Sequence, residues 1–120
     1  CRMTKVSSMK SFEGIIKFNK DRNLLTFNRE TEYNCLFEEL QEFLAAEDVN
    51  EQVDALCDII VFATGALFKL GYDPEKALSE TVKEISSRQG SLNEETGKWE
   101  KDKEQDRSTL YTADYTTEER

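Results

Sequence analysis

Between Val53 and Leu70 the chain is apolar on nearly every side, apart from two carboxylates, Asp54 and Asp58, set four residues apart. At the helical repeat both acids fall on one stripe. Any rotation that turns this stripe outward leaves apolar side chains around it, so the stripe is expected to be at least partly buried among other helices. A buried anion needs a counter-charge. A divalent cation such as Mg²⁺, which takes oxygen ligands, would supply one, and cations are commonly held between the helices of a bundle. Asp54 has an alternative role as an early-helix residue stabilised by the helix dipole; Asp58 lies too deep in the helix for that.

The residues flanking this run set the number of helices. Asp48 followed by Glu51 fits a capping box, which starts the helix there and places Asp54 in the second turn and Asp58 in the third. Gly71 permits the left-handed cap that stops it. Asp73-Pro74 is an N-cap and first-turn pair for a further helix. That helix has Ala77, Leu78, Thr81, Val82 and Ile85 as its expected buried face and Gly90 as its end, with Arg88 in the last turn.

Upstream, Phe12, Ile15, Ile16 and Phe18 recur at helical spacing from Met9 to Lys20, ending before Asp21-Arg22-Asn23. A connector from Leu24 to Asn28 packs down through Leu24, Leu25 and Phe27. The next helix runs from Glu30 to Ala46 with Leu36, Leu40, Phe43 and Leu44 as its core stripe. After Gly90 only Leu92, Trp99, Leu110, Tyr111 and Tyr115 can bury much area. Residues 91–120 therefore read as a polar extension, a wrap or a lid, on a helical domain of residues 1–90. No strand pattern or internal repeat is evident, and the expected fold is all-α, a four-helix bundle with a C-terminal polar extension.

Twenty-five acidic against sixteen basic residues give a net charge of -9 and a pI near 4.6. This argues against a nucleic-acid polymer or an anionic membrane as partner. A phosphate-bearing substrate would be repelled unless a cation bridged it to the acids. The odd cysteine count suggests no disulfide framework, and Cys35 and Cys57 read as small core residues in a reducing cytoplasm. With no apolar run of membrane-spanning length and no signal-peptide h-region, the expectation is a soluble, cytoplasmic protein.

A second acidic cluster, Glu38-Glu39-Leu40-Gln41-Glu42, precedes the aspartate pair. By itself an E-E-x-x-E pattern marks a solvated face more often than a metal site. Followed by Asp58-Ile59-Ile60, Gly65-Ala66-Leu67, Asp73-Pro74 and Ser86-Ser87-Arg88, it resembles the MazG-like all-α nucleoside triphosphate pyrophosphohydrolases, including relatives of phosphoribosyl-ATP pyrophosphohydrolase. The resemblance covers roughly residues 30 to 90, and the tail residues Gly97-Lys98-Trp99 and Ala113-Asp114-Tyr115 are similar to small phage and bacterial members. Those proteins carry E-E-x-x-E and then E-x-x-D on the following helix. In the frame set by Asp58 the second glutamate falls at Ala55, which binds no metal, and Asp54 is the adjacent substitute. A rival frame takes Glu51 and Asp54 as the pair.

The resemblance implies Mg²⁺-dependent hydrolysis, with Mn²⁺ as a substitute, of a (deoxy)nucleoside triphosphate to monophosphate and pyrophosphate, in the service of nucleotide-pool control. It implies Glu38, Glu42, Asp54 and Asp58 as metal ligands within residues 38–58 and Glu39 as the residue orienting or deprotonating the attacking water. Lys83, Arg88 and Lys98 are then the candidates for meeting substrate phosphates, and a homodimer or dimer of dimers the expected assembly. Rival expectations are a phosphoribosyl-ATP pyrophosphohydrolase and, from another class, a non-catalytic helical regulatory or interaction module. A Ca²⁺ store is disfavoured because no D-x-D-x-D-G loop is present.

Overall fold

The computed structural model describes residues 10–116. Among them are four α-helices: α1 (Ser11–Asp21), α2 (Arg29–Ala45), α3 (Val49–Lys69) and α4 (Pro74–Ser86). The all-α expectation holds for the described residues up to Ser86. After it comes an antiparallel hairpin of β1 (Gly90–Asn93) and β2 (Lys98–Lys101), then a 3₁₀ turn, Arg107–Thr109. The chain divides into two compact units, one ending at Pro74 and the other beginning at Glu75. No helix among the described residues is long and apolar enough to cross a membrane. Met9 falls outside the described residues.

In the first unit α2 and α3 form an antiparallel pair joined by the short link 46–48, and α1 packs on α3. Local chemistry fixes the ends. The Asn28 side chain caps α2 by accepting from Thr31 N at 3.0 Å, and Asp48 caps α3 by accepting from Glu51 N at 2.8 Å. The reciprocal half of the expected capping box is displaced by one residue, because Glu51 Oε2 accepts from Glu47 N rather than from the cap residue. Two Schellman motifs close α1 and α3. Asn23 (φ 57°) and Gly71 (φ 101°) take the left-handed position, with Leu24 N donating to Asn19 O at 2.8 Å and Tyr72 N to Leu67 O at 3.1 Å.

The faces these helices bury differ from expectation. On α2, Leu36 is half-buried while Leu40, Phe43 and Leu44 are exposed; the buried side chains are Glu32 and Glu39. Tyr33, Phe37, Leu40 and Leu44 instead form an outward stripe at i, i+4, i+7, i+11, and Val49, Val53, Leu56 and Ile60 repeat that spacing on the outer side of α3. The inward sides carry polar groups, which displaces the aliphatic residues to the outside. Cys57 is likewise exposed rather than a core residue, and Cys35 is half-buried. Leu24 and Leu25 are both exposed in the connector rather than packed down, and only Phe27 is half-buried.

The second unit is organised round α4. Of the expected buried face, Ala77 is buried and Thr81 half-buried, but Leu78, Val82 and Ile85 are exposed and Glu80 is buried instead. The reason is the tail, which folds back along the Glu80 side of the helix. The Tyr111 hydroxyl and Asp114 N donate to Glu80 Oε1, Tyr115 Oη lies 2.7 Å from Thr81 Oγ1, and Tyr111 N donates to Ser87 Oγ at 2.8 Å. α4 stops at Ser86, four residues before the expected Gly90, so Arg88 lies beyond the helix. The hairpin was not foreseen. Its strands are four residues each, too short to show alternation, yet Asn93-Glu94-Glu95-Thr96-Gly97 carries the turn signal: Asn93 Oδ1 accepts from Glu95 N, and Gly97 sits at φ 71°. Gly90 is obligatory at the register opposite Lys101, since a Cβ there would lie 2.1 Å from Glu100 O.

Candidate active site

The inner sides of α1, α2 and α3, with Leu24 of the connector, enclose a cavity of about 310 Å³. Its α3 wall is Asp58, Val61, Phe62, Gly65 and Lys69, which share one helical stripe; α2 contributes Glu32 and Glu39, seven residues and therefore two turns apart. Phe18 and Asn19 of α1 complete it. The Asn19 side chain is buried and donates from Nδ2 to Ile15 O at 2.9 Å. Gly65 lets α1 approach α3 at this point: a Cβ there would lie 3.2 Å from Asn19 Nδ2.

The cavity has two polar groupings. Glu32 and Lys69 form an ion pair of 3.0 Å, with side chains 8 % and 15 % exposed. Glu39 and Asp58 form an acidic grouping to which no cation among the described residues is paired. Glu39 is 9 % exposed, and its Oε2 is buried with no hydrogen-bond partner. Its carboxyl is pushed above the ordinary glutamate value, first by burial, then by the charges of Glu42 and Asp58, by a side-chain hydrogen bond with Glu42, and by the charge of Asp54. Asp58 is half-buried, whereas Asp54 and Glu42 are exposed.

Glu39, Glu42, Asp54 and Asp58 are thus brought together from α2 and α3. Glu38 is exposed and is not among the charges acting on Glu39. Glu39, which the resemblance implies as the residue acting on the attacking water, is the most buried acid of the cluster. Among the described residues no three acids converge on a ready-made ligand set. The donor set nonetheless fits a hard divalent cation: it holds an orphaned buried carboxylate oxygen and mutually repelling carboxylates, and Mg²⁺ binds through one or two carboxylates while keeping much of its water.

The basic candidates all lie in the second unit. Lys83 Nζ is 3.1 Å from Glu80 Oε2 and 5.9 Å from the Tyr111 ring centre; Arg88 reaches Glu84 only at 3.9 Å; Lys98 opens β2 and is exposed. Trp99 faces Leu92 across the hairpin and remains exposed. The sequence reading passed over Glu32, Lys69 and Asn19. The signal was available for two of them: Glu32 shares the Glu39 stripe at a seven-residue interval, and Lys69 continues the 58, 62, 65 progression of α3.

Residues 17–85 match the family model described as phosphoribosyl-ATP pyrophosphohydrolase, a span that holds the whole cavity and ends within α4. Neither the search of curated proteins nor that of solved structures returned a significant match.

Proposed function

The chain belongs to the phosphoribosyl-ATP pyrophosphohydrolase family, and on that premise we propose that it is a Mg²⁺-dependent nucleotide pyrophosphohydrolase, cleaving a (deoxy)nucleoside triphosphate to a monophosphate and pyrophosphate. The observation that carries this reading is Glu39, a buried carboxylate with an unpartnered oxygen, crowded by the acids of a neighbouring helix at the edge of a cavity. A fold alone has no use for such a group, because buried like charges destabilise it. A site that must gather a cation and a phosphate chain does.

Asp58 with one of its neighbours, Glu42 or Asp54, would hold the cation, water completing its shell, with Glu38 as an outer acid. The cation supplies neutralisation of phosphate charge and Lewis acidity, the main requirements of such a transfer. Glu39 Oε2 is the proton acceptor for the attacking water. Burial first, and then the charges of Glu42 and Asp58, raise the Glu39 carboxyl above the ordinary glutamate value, which suits it to accept a proton. Apolar walls of Phe18, Leu24, Val61 and Phe62 beside the acids suit a nucleoside, and a volume of about 310 Å³ is at the lower end of small-ligand sites, which start at ~300 Å³.

A second copy of the chain is the natural cover for the two apolar stripes on α2 and α3, giving a homodimer or a dimer of such dimers. The matching family also favours a second reading of the substrate, phosphoribosyl-ATP, cleaved by the same chemistry. Pyrophosphate release from a panel of nucleoside triphosphates, deoxynucleoside triphosphates and phosphoribosyl-ATP, each with Mg²⁺ or with chelator, tests the proposal. Metal-dependent turnover that Asp58→Asn abolishes while helicity stays intact is the expected result. No release from any member of the panel sinks the reading in favour of a binding module.

A further inference from the structure

Beyond the last family-matched residue, the second unit contains a cavity of about 300 Å³ with a chemistry opposite to that of the first. Arg88, Lys101, Lys103 and Arg107 line it, against a single carboxylate, Asp102. In a chain of net charge -9 this is a marked local surplus of cations. The surplus is also unspent: among the described residues Lys101, Lys103 and Arg107 form no ion pair, and Arg88 has only the long 3.9 Å approach to Glu84. Acidic residues are plentiful nearby in sequence, so the lack of pairing is not for want of partners.

A second, independent feature is the frame that holds these cations. They come from four places: the segment after α4, the end of β2, the following turn and the 3₁₀ turn. The Gln105 side chain ties them together. Its Oε1 accepts from Gln89 N at 2.6 Å, and its Nε2 donates to Ser87 O at 2.8 Å and to Thr109 Oγ1 at 2.9 Å; Asp102 N donates to Gln89 O at 2.7 Å. Three bonds from one amide tie the 87–89 backbone that carries Arg88 to the Thr109 side chain of the 3₁₀ turn, and the Asp102 bond brings in the end of β2 beside Lys101. Holding like charges together around a cavity is unfavourable unless an anion joins them, and rigid framing lowers the ordering cost when one does.

We propose that this cavity is a binding site for a small phosphate-class oligoanion, with inorganic pyrophosphate as its simplest form. Two guanidinium groups can each fork onto phosphoryl oxygens, and two ammonium groups add point charge, which suits a diphosphate better than a monoanion. The volume, at the lower limit of ~300 Å³ for small-ligand sites, admits such an ion. The ligand can be free pyrophosphate or the phosphate tail of a nucleotide; the two share the chemistry that the cavity recognises.

The test is calorimetric titration of the full chain with inorganic pyrophosphate in the presence of chelator, which takes metal-bridged binding at the acidic cavity out of play. It is therefore independent of whether the chain proves to be a pyrophosphohydrolase. One saturable site per chain is expected. Arg88→Gln with Arg107→Gln should weaken it by about tenfold or more, the scale of losing charge-assisted hydrogen bonds. The exposed pair Lys101→Gln with Lys103→Gln should weaken it too, and this second variant keeps the test valid if the arginine variant misfolds. A parallel titration with a non-hydrolysable nucleoside triphosphate separates the sources: equal binding supports the nucleotide tail, and absent binding supports free pyrophosphate. No saturable pyrophosphate binding, or affinity unchanged in well-folded variants, overturns the proposal.

Discussion

Replacing Lys69 by Met offers the sharpest test of how the first unit manages buried charge. The methionine keeps the length and apolar stem of lysine, so the variant removes chiefly the ammonium that lies 3.0 Å from Glu32. Glu32 is then an unpaired carboxylate whose side chain is only 8 % exposed. Breaking a buried pair on one side costs about 3–5 kcal/mol. The adjoining cavity and the residual 15 % exposure of Lys69 put the value at the lower end, about 3 kcal/mol. In thermal terms that is on the order of 10–20 °C for a unit of this size.

The companion variant, Glu32→Leu with Lys69→Met, removes both charges. It should recover to within about 1 kcal/mol of the parent, because an apolar pair of similar volume repays the lost Coulomb energy by avoiding desolvation. Urea unfolding in metal-free buffer reads all three proteins. A single variant within about 0.5 kcal/mol of the parent, the ordinary scale of a surface change, would show that solvent rather than Lys69 satisfies Glu32. A double variant no more stable than the single one would show that packing, not charge, was lost.

Glu39→Gln should raise the melting temperature of the metal-free protein at neutral pH, since a neutral isostere removes the buried charge that Glu42, Asp58 and Asp54 oppose; it should also lower turnover more than metal affinity. Equal loss of both would move Glu39 into the ligand set, and a less stable metal-free protein would contradict the electrostatic account. Glu80 is held down at about 2, against an ordinary 4.5, by the Tyr111 hydroxyl, the Asp114 N–H and Lys83. Docking of the tail is therefore fully supported above about 4.5 and weakens as pH falls towards 2. An NMR titration of the Glu80 carboxyl with a midpoint near 4.5 would refute this, and Glu80→Gln should release the tail at all pH values. Phe37→Glu with Leu56→Glu, on the two outward stripes, should leave a monomer in sedimentation; an unchanged mass would place the interface elsewhere.

Legibility from the sequence followed the range of the interaction. Helix limits set by groups a few residues apart, such as Asn28 to Thr31, Asp48 to Glu51 and the glycine at position 71, could be read within a residue or two, whereas α4, whose end lacks such a signal, stops four residues before Gly90. The number of helices followed from the same signals. Which face each helix buries is a different kind of fact. On α2 the stripe with the greatest apolar content, through Leu40 and Leu44, faces outward, because the inner stripe carries Glu32 and Glu39 for the cavity. Periodicity locates a stripe but says nothing of whether this chain or another covers it.

The two cavities are also unequal as sequence objects. The acidic one takes its polar groups mainly from α2 and α3, where helical spacing puts Glu32 and Glu39 in line on one and Asp58, Phe62, Gly65 and Lys69 on the other, so these residues could be gathered by counting turns. The basic one draws on a helix exit, a strand end and two turns, joined by one glutamine side chain across sixteen and eighteen positions, from Gln105 to Gln89 and Ser87. No periodicity joins those places. If that glutamine sets the cavity, Gln105→Ala should impair pyrophosphate binding although no cation is removed, whereas the metal dependence of the helical site should not change. Loss confined to the anion site would locate the preorganisation in one amide. Retention of full affinity would mean that charge alone, without the frame, is enough.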